Sequence, residues 1–160
     1  VPENMPLLRM SKELLLKKLD QMRVLIEELA GLLEKPFDEF KSDITIVRSA
    51  ERNFQLIMDL AADINTHILI ERGEQTPDSY RSSFQGVSKI GILPYELTKR
   101  VIEGAKIRNI LVHEYDFEED YERFYRSARE ILPFCRDYVK VIHRYVEENK
   151  DGKPDSLEAE

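Results

Sequence analysis

Cysteine occurs once in the 160 residues, at Cys135, so no disulfide can close within the chain, a usage compatible with a reducing cytosol. Glycine and proline are sparse and cluster between helical patterns, which leaves long stretches free to stay helical. No apolar run is long enough to span a bilayer, and no basic segment leads into an apolar core as in a secretory leader. The expectation is a cytoplasmic protein without a membrane partner. Strand-type alternation is missing, as are internal repeats and a Gly-rich phosphate loop. A net charge of −7 weighs against a general nucleic-acid binder, although it leaves room for a local basic cleft and suits a protein partner. Asp59 and Asp63 stand one helical turn apart with no clear third ligand, so no metal site and no cofactor is expected. The chain begins with Val, which leaves its true N-terminus open.

Helical periodicity fills what remains. A first helix is expected from Ser11, as N-cap, to about Glu34, with a stripe of Leu15, Leu19, Met22, Ile26, Leu29 and Leu33. Pro36 ends it. A second helix, capped by Asp38, is expected to run to about Glu71, burying Val47, Ala50, Phe54, Ile57, Ala61, Ile64 and Ile68. Its other side carries Arg48, Arg52, Gln55, Asp59 and Thr66. A loop with Gly73 and Pro77 leads to a short helix over 79–89. Pro94 then starts a helix over 95–112, and a last helix runs over 117–148 with Pro133 expected to kink it. The fold class is therefore all-α: an antiparallel bundle of four long helices and one short one. Residues 1–148 form the helical domain, and the polar 149–160 tail is expected to be disordered.

One octet stands out: Arg108-Asn109-Ile110-Leu111-Val112-His113-Glu114-Tyr115. Arg108 falls on the apolar stripe of Leu97, Val101, Ala105 and Val112, where a guanidinium must be paired or face a solvated cleft. Asn109 and His113, four apart, share a face. Arg108 and His113, five apart, diverge by roughly 140° on an ideal helix. They converge only if the helix ends near Val112 or a second chain contributes. A histidine able to move a proton beside a permanently charged arginine suits cleavage of an RNA phosphodiester. A lone Arg-x4-His spacing is also common by chance in helix ends, where the histidine merely favours the dipole. Pairing of Arg108 with a carboxylate of its own subunit, out of reach of any His113, would leave it only a packing role.

The octet resembles the signature of the HEPN ribonuclease toxins, in their HepT branch. The flanks agree: Ser49 to Leu56 and Asp59 to His67 look like that branch's second helix. Pro77 to Arg81, Phe84 and Gly91 to Pro94 look like its middle loop, short helix and lead-in. The resemblance spans roughly Leu8 to Glu147. It implies a HEPN-like homodimer whose two motifs face one cleft, with Arg108 and His113 as the catalytic pair and Asn109 as the polar residue beside them. It further implies that an MntA-type nucleotidyltransferase antitoxin transfers AMP onto Tyr115, where bulk and negative charge block the RNA phosphate. Arg48 and Glu51, on the second helix, are candidate supporting residues. The alternative is a non-catalytic helical binding subunit of a nucleotidyltransferase, for which the octet is a recognition surface.

Overall fold

The computed structural model describes the backbone of residues 4–114 and 117–148, with side chains over 11–112 and 121–148. Six helices follow one another: α1 (Asn4–Leu33), α2 (Phe37–Ser42), α3 (Ile44–Glu71), α4 (Tyr80–Lys89), α5 (Tyr95–Asn109) and α6 (Phe117–Glu148). A π turn (Ile110–Glu114) follows α5. No strand occurs among the described residues.

The expected stripes make the core. Leu15, Leu19, Met22, Ile26, Leu29 and Leu33 of α1 are buried, as are the seven apolar positions named on α3. Each buried Leu, Ile, Met, Val or Phe among them stabilises the bundle by about 1.5–3 kcal/mol relative to exposure. Side-chain partners give the helix directions. Lys18 meets Asp63 and Glu28 meets Asn53, so α1 and α3 run antiparallel. Arg48 meets Tyr121, Asn65 meets Tyr138 and Arg72 meets Tyr145, each pair 73 residues apart. That constant offset means α3 and α6 run parallel. Helices α5 and α6 run antiparallel, with Arg100 over the Phe134 ring and Ile107 beside Phe124. Gly104 packs against α3 and α6; a Cβ there would lie 3.1 Å from Met58 Sδ and 3.3 Å from Ile131 Cγ2.

Four expectations need correction. Helix α1 starts at Asn4, and Ser11 is buried within it rather than capping it. The second pattern is two helices: Asp43 takes an extended conformation and its side chain accepts from the Thr45 amide, capping α3, whereas α2 begins at Phe37 after Pro36 with no side-chain cap from Asp38. The bundle thus has two short helices, α2 and α4. Helix α5 gives way to the π turn after Asn109, and Val112, expected on the buried stripe, is 44% exposed. The wider turn carries it off that face. Helix α6 keeps its expected bounds, with Pro133 inside it.

Candidate active site

Three elements converge at the end of α5. The first is α3, whose Asp59 lies on the edge of the buried face. The second is α4, started by a capping box in which Ser79 and Ser82 each bond the other's backbone amide. This sets Tyr80 at the first helical position, and its hydroxyl donates to Asp59 Oδ1 at 2.6 Å. The third is α5, which brings Arg108. Its Nε donates to the same Asp59 oxygen at 3.1 Å, and its guanidinium lies 4.5 Å from the Tyr80 ring centre. The Arg108 side chain is 18% exposed. Arg108 therefore has both a carboxylate and an aromatic face from its own chain, and it also lines an open cavity of about 450 Å³ together with Asn109, Asp63 and Asp78. Both outcomes anticipated for a stripe arginine occur together: it is paired, and it faces a cleft.

Only Nε is committed to Asp59. A guanidinium carries five N–H donors in a planar fork, so the Nη edge keeps its capacity for an anion. The cation–π contact with Tyr80 and the bond to Asp59 restrain the guanidinium, and a restrained fork loses less freedom when it binds phosphate. Asp59 thus meets both Arg108 Nε and the Tyr80 hydroxyl. Asp63 is drawn to Lys18 at 3.5 Å. No group of three or more His, Cys, Asp or Glu suited to a metal ion occurs among the described residues.

Behind this site runs a buried polar chain. The Tyr138 hydroxyl faces Asn65 Oδ1 at 2.6 Å and the Ala61 carbonyl at 3.1 Å. Asn65 Nδ2 donates to Ser83 Oγ, which donates to the Tyr80 carbonyl at 2.7 Å. Asn65, Ser83 and Tyr138 are each at most 1% exposed. Buried polar groups satisfied in this way fix one arrangement of α3, α4 and α6, because any slip leaves a donor or acceptor unpaired in an apolar interior. Tyr80 is held through its backbone from the core side and through its hydroxyl from Asp59.

The Tyr80 phenol is pushed up to about 12 by burial, then by its hydrogen bond to Asp59 and by that carboxylate's charge. The folded chain holds this proton more tightly than the unfolded chain, whose phenol titrates near 10. Its contribution to stability is therefore whole below pH 10 and is lost as pH rises through about 12. Asp59→Asn removes the carboxylate's charge and weakens the hydrogen bond while leaving burial, so the Tyr80 phenolate is expected to form at lower pH than in the parent. Absorbance titration of the phenolate, with Tyr80→Phe as the blank, measures this; an unmoved Tyr80 midpoint would show that Asp59 does not hold it in solution.

The octet is brought together in part. Arg108 and Asn109 line the same cavity. The π turn begins immediately after Asn109. His113 lies within this turn and Arg108 one residue before Asn109, the last residue of α5. The His113 side chain lies outside the described residues, and so does Tyr115 entirely. Arg48 and Glu51 lie two to three turns of α3 away from Asp59. Their ion pair is 2.7 Å with Glu51 buried, and Arg48 Nη2 lies 3.5 Å from the hydroxyl of Tyr121, in the second turn of α6. Residues 110–120 therefore connect the Asp59 level of α3 to its Arg48 level. The roles of Asp59 as anchor and Tyr80 as stacking partner were not read from the sequence. The available signal was the stripe arginine itself, which needs a carboxylate from a neighbouring helix, and Asp59 stands on the polar edge of α3.

Cys135 is buried and packed against the core, its thiol pushed up to about 12 by desolvation, which leaves it inert as a nucleophile.

Comparison with known proteins places this arrangement. The family model described as ribonuclease HepT-like matches residues 22–142. A tRNA nuclease HepT from Aphanizomenon flos-aquae (strain 2012/KM1/D3) is 32% identical over 109 residues, covering 68% of this chain and 74% of the relative. Among solved structures, the toxin of an MntA–HepT toxin–antitoxin complex superposes with a TM-score of 0.74 at 22% identity, covering 82% of this chain and 98% of that one. A tri-AMPylated HEPN toxin of Shewanella oneidensis, in complex with an MNT antitoxin, gives 0.70 at 21% identity, covering 81% of this chain and 96% of the toxin. A cytosolic protein of unknown function, YutE from Bacillus subtilis, gives 0.70 at 16% identity, covering 86% and 94%. The structural likenesses speak for the HEPN-like helical fold, the family model and the sequence relative for descent: this chain belongs to the HepT-like ribonuclease family.

Proposed function

We propose that the chain is an endoribonuclease toxin that acts as a homodimer, cleaves RNA without a metal ion, and is silenced by AMP transfer to Tyr115 from an MntA-type nucleotidyltransferase. The observation that carries the proposal is Arg108, anchored through Nε by Asp59 and set over the Tyr80 ring, lining a cavity five residues before His113 in the chain. The ribose 2′-oxygen attacks the adjacent phosphorus as His113 takes its proton. The 5′-oxygen leaves, taking a proton from an imidazolium, and a 2′,3′-cyclic phosphate remains. In a dimer with two motifs facing one cleft, the second His113 supplies that proton. Arg108 binds the non-bridging oxygens and the charge that builds on them. Asn109 orients the imidazole and its tautomer. One helical domain carries all of these groups; the tail expected over 149–160 lies outside the described residues. Arg48 and Glu51 brace the start of α6 behind the motif.

Incubation of the chain with RNA in the presence of a chelator tests the route. Products ending in cyclic phosphate are expected; plain 3′-hydroxyl ends would overturn it. The Tyr115 switch has its own readout. After incubation with the partner nucleotidyltransferase and ATP, intact mass is expected to rise by whole adenylyl units, to stay unshifted for Tyr115→Phe, and to rise in step with the loss of cleavage. A second reading draws on the Arg108–Asp59 pair, which gives Arg108 a structural partner: the octet then serves a binding subunit of the nucleotidyltransferase. That reading requires intact partner binding and no cleavage at any dose.

A further inference from the structure

The cavity at Arg108 has a composition that phosphate binding alone does not use. Among the described residues, Arg108 is the one cationic side chain on its wall, and its Nε is already turned to Asp59. The rest of the wall sets Ala62 and Pro77, the hydroxyls of Thr66, Ser79 and Tyr80 and the Asn109 amide beside two carboxylates, Asp63 and Asp78, which are its only side chains that accept without donating. A second phosphate is repelled by that pair. A group that donates hydrogen bonds is favoured by it. Neither carboxylate is used up: Asp63 meets Lys18 at 3.5 Å, and Asp78 accepts from Ser82 Oγ at 3.1 Å, whereas a carboxylate has about four lone-pair sites. The volume, about 450 Å³, is that of a small-molecule site rather than of a groove for a duplex.

Resting on the ribonuclease reading above, we infer that this cavity is a base-recognition subsite that selects guanine in the nucleotide whose phosphate Arg108 holds. Arg108 and the carboxylates line one cavity, so a nucleotide with its phosphate on the guanidinium presents its own base to Asp63 and Asp78. Among the four bases, guanine alone carries two adjacent donors on its pairing edge, N1–H and the N2 amine. Adenine and cytosine set a ring acceptor beside their amine, and uracil flanks its single N–H with carbonyls. Each of those acceptors meets a carboxylate unfavourably. Asp63 and Asp78 are exposed, so the discrimination sits at the low end for a good two-bond contact, about fivefold or more over uracil.

Two measurements on the full chain test this. The first sequences the ends produced from a randomised single-stranded RNA pool. Guanine enriched about fivefold or more at one fixed position beside the cut is expected, with the enrichment falling in Asp63→Asn or Asp78→Asn. Cleavage with no guanine enrichment, or enrichment untouched by both substitutions, overturns the inference. The second compares binding of guanosine and inosine monophosphates, which differ only in the N2 amine, and it decides the matter even if the pool is not cut. Tighter binding of the guanosine nucleotide, lost in the Asp→Asn variants, supports the subsite; equal binding of the two overturns it. Failure of the ribonuclease reading itself shows separately, as no cleavage of any RNA by the parent chain.

Discussion

His113→Ala is expected to slow RNA cleavage by about a hundred- to ten-thousandfold, the range that a positioned proton-transfer group contributes, and to relieve growth inhibition when the chain is expressed. Arg108→Ala is expected to fall in the same range, since loss of one preorganised donor to a developing anion alone costs about a hundred- to a thousandfold. The two substitutions together are expected to cost little more than either alone, because groups acting on one transition state are not additive. Arg108→Lys is the sharper control. It keeps the charge and discards the planar fork, which here both donates Nε to Asp59 and lies on Tyr80. A point charge on a flexible stem does neither at once, so the Arg108→Lys variant is expected to recover little activity. Initial rates on a defined RNA, with thermal unfolding followed in parallel, measure all of this. Arg108→Ala leaves Asp59 with the Tyr80 hydroxyl, so unfolding should move little compared with the rate. His113→Ala with parental cleavage would sink the catalytic assignment whatever the fate of the other variants.

How much of this was legible in the sequence follows from what kind of force sets each feature. Burial obeys helical periodicity, so the stripes of α1 and α3 were legible residue by residue. Helix ends depend on one or two local bonds, and there the pattern misled. Asp38 and Asp43 are both acidic and both able to cap, and only the extended backbone at Asp43 lets its carboxylate reach the Thr45 amide. Ser11 looked like a cap because a polar residue precedes a stripe, yet α1 runs back to Asn4 and buries it. The π turn was not legible at all: inserting one residue's worth of widening leaves no mark in composition, and its consequence is an exposed Val112.

The candidate site divides along the same line. Arg108 announced itself by violating the stripe, and Asn109 by adjacency. Asp59 and Tyr80 come from other helices, 49 and 28 residues away in sequence, and spacing carries no information about which carboxylate a buried guanidinium finds. Asp59 and Asp63 stand one turn apart on α3, yet the first meets Arg108 and Tyr80 and the second faces Lys18, a division that the four-residue step does not reveal. The homodimer remains part of the proposal, supported by the resemblance and by the partner needed for a second imidazole.

Phe54→Ala is expected to carry the largest stability cost among single substitutions, about 3–5 kcal/mol. Phe54 is 1% exposed at the middle of α3 and meets Phe124 edge to face, with centroids 5.8 Å apart and planes at 89°. Truncation removes the ring's contacts and leaves a hole that two packed helices cannot both move to fill, and it forfeits the aromatic pairing as well. At about 2–4 °C per kcal/mol for a domain of this size, the midpoint should drop by about 6–20 °C. Val112→Ala, at an exposed position, should stay within about 0.5 kcal/mol of the parent. The effect reaches the site because Phe124 anchors the start of α6 and shares a small apolar cleft with Ile107, Ile110 and Leu111. Phe54 thus fixes the far end of the segment that carries His113, while Val101 and Ala105 fix its near end in the core. Cleavage by Phe54→Ala, assayed well below its lowered midpoint, should therefore fall although no group that touches RNA has changed. A midpoint within about 2 °C of the parent would mean that α3 and α6 are not held together by this ring pair.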